Sequence, residues 1–157
     1  MAKKYTFRFE TLLRLRRQRE DEHKRIVSRR LNDIRLLQQR QDTLLLRIHD
    51  QSELTRDALR DRQIDVDLLK FGRHWLIRLR RGVLDTEAQI AAQKAILAQE
   101  RSSLREALKH RRILSELKER RYRRFTATEA RREQAELDET SVIRFARAAG
   151  SREVHES

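Results

Sequence analysis

Five histidines, a surplus of arginine and a complete lack of cysteine set the chemistry open to this 157-residue chain. His23, His49, His74, His110 and His155 are scattered without the H-E-x-x-H or comparable spacing that holds a metal. They read as solvated or seam-edge histidines. No glycine-rich loop is present to cradle a phosphate, and no G-x-S-x-G presents a nucleophile. Without cysteine, disulfide scaffolds, thiolate metal sites and cysteine catalysis are all excluded. The expectation is a protein that is not an enzyme, with no catalytic residue, no metal and no cofactor.

Arginine and lysine give a formal net charge of +13, which calls for an anionic partner: nucleic acid, acidic lipid or an acidic protein surface. The densest charge is the run from Lys109 to Arg124, KHRRILSELKERRYRR. It reads either as a solvated helix face, with Glu116 and Glu119 forming local ion pairs, or as a face for an acidic protein, or as a nucleic-acid contact. Its arginines alternate with Ile113, Leu114 and Leu117, unlike the diverging basic helix of a bZIP reader, so no nucleic acid is expected. The basic start has no apolar core after it, so no secretory signal is expected. No run of about 18 apolar residues suggests a membrane span.

The elements that must carry these residues are helices. Charged residues make up 40% of the chain, prolines are absent and glycines number three, so few turns are available. Leu76, Leu79, Val83, Thr86, Ile90, Gln93, Leu97, Glu100, Leu104, Ala107, Arg111 and Leu114 recur at three- and four-residue spacing, the seam of a coiled coil. A first series runs Phe9, Leu13, Arg16, Glu20, His23, Val27, Arg30, Ile34, Leu37, Gln41, Leu44 and Ile48, thin between Leu13 and Val27. The expected fold is all-α: one coiled-coil hairpin over residues 1–157, its long helices antiparallel. The first helix covers about 6–62, starting near Thr6, and the second about 73–148, spanning about 85 Å and about 110 Å at about 1.5 Å per residue. Between them Gln63 to Gly72 reads as a short helical corner, with Gly72 as a C-cap. Residues 149–157 read as a frayed tail. Folding about Leu68 puts Phe9 near Phe125 and Thr128, Leu13 near Arg121 and Phe125, and Ile34 near Leu104.

Two stretches exceed what a two-helix seam can cover. Trp75, in HWLIRL, either packs onto Leu68, Leu69 and Phe71 to close the corner or serves as a binding anchor. Val142, Ile143 and Phe145 extend three to four turns past the chain's start, at about 3.6 residues per turn. They form either a fraying end or a surface for insertion into another protein.

The opening Phe7-Arg8-Phe9-Glu10-Thr11-Leu12-Leu13-Arg14-Leu15-Arg16 and the closing Arg131-Arg132-Glu133-Gln134-Ala135-Glu136-Leu137-Asp138-Glu139, with Arg144-Phe145 after it, share a pattern. Together they resemble the two ends of the FliJ family, small coiled-coil proteins of flagellar type III export. The resemblance spans nearly the whole chain. It implies an antiparallel coiled coil similar to the central stalk of rotary ATP synthases, seated in the hexameric export ATPase (FliI-like) by its paired terminal ends. Those ends carry Phe7, Arg8, Leu13, Arg132, Val142, Arg144, Phe145 and Arg147. The resemblance also implies contact with the export gate protein (FlhA-like) and with export chaperones. The family's aromatic-x-x-x-leucine pair, associated with the gate, falls on Trp75 and Leu79, with Trp where the family commonly has Phe. The implied location is cytoplasmic and peripheral, at the inner-membrane export apparatus. YscO-type stalks of virulence secretion systems share the pattern, and a basic coiled-coil nucleic-acid or scaffold protein is the rival class.

Overall fold

The computed structural model describes residues 4–60 and 65–153, with side chains described through Arg147. Two helices account for nearly all of it: α1, Glu10–Arg60, and α2, Val66–Glu153. Among the described residues there is no strand. The chain is an all-α helical hairpin of the coiled-coil type.

The start of α1 is set by an aromatic pair rather than by a Thr6 cap. Phe7 is buried, its ring edge-on to Phe9 at 5.9 Å between centroids. Holding both rings inward takes a turn, in which the Glu10 amide donates to the Phe7 carbonyl at 3.1 Å. Helical bonding then begins with the Leu13 amide donating to Phe9 at 2.9 Å. Glu10 in the first turn complements the helix dipole.

The start of α2 lies before the expected corner has ended. Asp65 caps it: one carboxylate oxygen accepts from the Asp67 and Leu68 amides at 3.0 and 3.1 Å. Leu68, Leu69, Phe71 and Gly72 are therefore helical, while Gln63 and Ile64 lie outside the described residues. Gly72 is no C-cap. It is buried on the α1-facing side, where an added Cβ would stand 2.9 Å from Gln51 Nε2. The helix also runs on through Gly150 to Glu153, past the point where fraying is expected.

The chain divides into two compact units, residues 17–109 and residues 1–16 with 110–157. In the 17–109 unit the helices run antiparallel around a cluster of Val27, Ile34, Ile90 and Leu97, with Leu37 and Leu104 packed against it. Gly82 lets Leu44 approach, its added Cβ falling 3.4 Å from Leu44 Cδ1, and the Thr86 hydroxyl donates to the Gly82 carbonyl at 2.7 Å. Folding about Leu68 would have set Leu44 against Ala92. The observed register is nearly three turns earlier in α2, counting about 3.6 residues per turn. The reason is local: with Asp65 as its cap, α2 begins at Val66, ahead of the expected fold point at Leu68.

One polar contact crosses this apolar cluster. Arg30 faces the Glu100 carboxylate, its Nε donating at 3.1 Å to Oε2 and its Nη2 at 2.8 Å to Oε1. Its Nη1 donates to the Gln93 side-chain oxygen at 2.6 Å. The hydrogen bonds from Arg30 hold the Glu100 carboxyl below its ordinary range, and the same bonds raise Arg30. A depressed carboxylate contributes stability above its unfolded value, about 4.3 for glutamate, and that contribution is lost as pH falls through the lower folded value. The hairpin should therefore lose melting temperature between pH 5 and pH 3 by more than its Glu100→Gln variant does. Thermal melts followed by circular dichroism test this, and equal losses would mean that the contact is not an ionised pair.

Candidate protein-docking surfaces

In the unit built from residues 1–16 and 110–157, aromatic rings replace the leucine seam. Tyr5 is the residue on which this end closes. Its hydroxyl donates to the Lys118 carbonyl at 3.3 Å, and its ring lies 5.4 Å from Tyr122 and 5.5 Å from Phe125. Phe9 is covered by two guanidinium groups, Arg8 at 5.8 Å and Arg121 at 5.4 Å from its centroid. Such contacts contribute about 0.5–1 kcal/mol each where partly exposed. Lys118 Nζ pairs with Glu10 at 2.7 Å. Tyr5, rather than Phe9, thus takes Phe125. The earlier register found in the 17–109 unit holds within this unit too.

Phe7 is buried here and Leu13 is fully buried. Both were expected among the contacts to another protein. Within this unit their side chains are instead turned inward. Arg8 is exposed at the rim. The basic run of this unit resolves into local pairs, Arg112 with Glu116 at 2.9 Å and Arg123 with Glu119. Lys118 and Arg121 are engaged by Glu10 and Phe9.

Beyond this clasp no helix covers α2 among the described residues. Every residue from Arg131 to Arg147 is exposed, including Val142 at 68% and Phe145 at 78%. Helical spacing places Val142, Phe145 and Ala146 on one face and Arg144 with Arg147 on another. Side chains within the segment bond one another at i,i+4: Arg132 with Glu136 at 3.3 Å and Gln134 with Asp138 at 3.1 Å. An apolar face flanked by arginines on an exposed helix is suited to binding.

The 17–109 unit carries a second exposed cluster near the start of α2. Trp75 is 38% exposed, while Leu79, one turn on, is 4% exposed and packs in the seam. Leu68 and Phe71, at helical spacing from Trp75, are exposed. Of the two residues expected to meet an export gate, one is at the surface and the other is core.

Among the described residues no group of histidines and carboxylates could hold a metal. No described helix is long and apolar enough to cross a membrane. Two residue sets escaped the sequence reading: Tyr5 with Tyr122, and Arg30 with Gln93 and Glu100. The second had a legible signal. All three are polar residues at seam positions of their heptads, where an unpaired charge would be costly and a pair is implied.

Two helices zipped along a partly polar seam, with exposed apolar and basic side chains beyond it, define a coiled-coil hairpin. A family model described as Flagellar FliJ protein matches residues 5–150. The chain belongs to that family, and is a component of flagellar type III protein export that associates with the export apparatus. Neither the curated proteins nor the solved structures offer a match.

The buried and exposed halves of the terminal unit are separable by mutation. Leu13→Ala should cost about 2–5 kcal/mol in chemical denaturation, as a fully buried leucine does. Val142→Asp with Phe145→Asp should change stability by no more than about 0.5 kcal/mol, as exposed sites do. A large loss in the second variant would show that this face is covered within the chain.

Proposed function

We propose that the protein is a non-enzymatic central stalk of the export ATPase ring, docked through the exposed end of α2 and the N-terminal segment clasped to it. The observation that carries this reading is the uncovered face of Val142 and Phe145 beside Arg144 and Arg147. Membership of a flagellar export family supports it, and supports a flagellar rather than a virulence system. Burying such side chains on docking is favourable at about 25 cal/mol per Å² of apolar surface. The arginines Arg8, Arg132, Arg144 and Arg147 would meet acidic or polar loops lining the ring, steering entry and fixing orientation. Phe7 and Leu13 act one step back, by holding the N-terminal segment in place. In this reading the protein is cytoplasmic and peripheral to the inner membrane, reaching it through the export gate and working with export chaperones.

Gate contact falls to the flank carrying Trp75, an exposed aromatic beside Leu68 and Phe71 and a good anchor for a partner's pocket. Leu79 supports that anchor from within the seam.

Two measurements test these assignments. Arg132→Glu, Arg144→Glu and Arg147→Glu together should weaken co-purification with the export ATPase by at least about tenfold and remove any stimulation of hexamer ATPase activity. Unchanged co-purification would dismiss this end as the docking site. Trp75→Ala should reduce binding to the cytoplasmic part of the export gate while leaving helicity and melting temperature unchanged. A fall in melting temperature equal to that of Leu79→Ala would make Trp75 a packing residue instead.

A further inference from the structure

The middle of the 17–109 unit holds a groove that neither docking end uses. Ile34 and Leu97 form its floor and Leu31 its wall, with Arg35, Lys94 and Arg101 at its rim. Leu31 is 41% exposed, although its floor neighbours are buried. The residues lining the groove include three cations and no carboxylate. None of the three cations has an ion pair or hydrogen bond among the described residues. Arg30, one position before Leu31, shows the contrast, because its guanidinium is taken up by Glu100 and Gln93. A second groove, lined by Leu36, Leu37, Asp33 and Arg40, carries both signs of charge.

We infer that the all-cationic groove is a docking site for an acidic amphipathic helix of a partner protein. An apolar floor between two helices accepts a third helix by the same ridge-into-groove packing that pairs the first two. Lys94 and Arg101 are seven residues apart on α2, about 10.5 Å at about 1.5 Å per residue. Two carboxylates two turns apart on the incoming helix would match them, with a third meeting Arg35 across the groove. Leucine-type side chains between those carboxylates cover Leu31, which the hairpin leaves exposed beside Ala98. Nucleic acid fits less well, since phosphates would pair with the rim and leave Leu31 uncovered. This site is independent of the ring and gate assignments.

The test uses the full chain and a fluorescein-labelled acidic peptide of about three heptads. The peptide carries leucines at a and d and glutamates elsewhere. Controls are a peptide of identical composition with its leucines scrambled, and a duplex DNA of similar length. Anisotropy at near-physiological salt should show saturable binding of the amphipathic peptide, weakened about tenfold or more by Lys94→Glu with Arg101→Glu and also by Leu31→Asp. Arg29→Glu, an exposed charge outside the groove, should leave binding within about twofold. Circular dichroism should show all variants equally helical. Three results would each overturn the proposal: equal binding of the scrambled peptide, an equal loss in Arg29→Glu, or displacement of the peptide by duplex DNA. The first two would reduce the groove to diffuse positive charge, and the third would make it a phosphate surface.

Discussion

A seam between two helices can cover only about two positions in every seven, and everything else in this protein follows from that limit. The chain has more apolar side chains than two such positions can take. In the 17–109 unit the seam takes Val27, Ile34, Ile90 and Leu97, and leaves Leu31 beside them half-wet. The surfaces assigned to binding are therefore not additions to a finished fold. They are the residue of a core that two helices cannot complete, available to a third.

The same limit makes register a problem, since leucines at regular spacing tolerate a slide of one heptad. Arg30 removes that tolerance. Its fork reaches Gln93 and Glu100 together, and only in this register does it meet both. Leaving one partner of such a pair uncompensated costs far more than the intact pair contributes. The arrangement thus acts more through the registers it excludes than through its own net contribution. The close approach of α1 side chains, Gln51 and Thr55 at Gly72 and Leu44 at Gly82, fits the same register.

The N-terminal segment shows a different solution. Here the α1 side has few seam leucines, and Tyr5, Phe7 and Phe9 bring rings in their place, with guanidinium groups laid over Phe9. Aromatic and cation–π contacts suit an arginine-rich stretch, because the charge that would weaken an aliphatic seam becomes part of the packing. The aromatic contacts of this clasp reach Phe125, and from Arg131 to Arg147 α2 is exposed.

Hydrophobic periodicity and the near absence of turn residues determined the all-α coiled-coil class, the two long helices and their antiparallel course. Residue patterns at both ends determined the family, and the surplus of apolar groups around Trp75 and Phe145 was legible as surface. Only the tertiary structure decided register, and with it which members of each site are surface and which are core. A heptad repeat looks the same after a slide of seven residues, so periodicity carries no information about which turn meets which. That choice rests on contacts between residues far apart in sequence: Asp65 ending the reversal early, Arg30 against Glu100, and Tyr5 against Phe125. Leu13 and Leu79 are interior as their seam positions imply, whereas only the tertiary structure set Phe7 inside and left Arg8, Val142 and Phe145 exposed and Trp75 partly so.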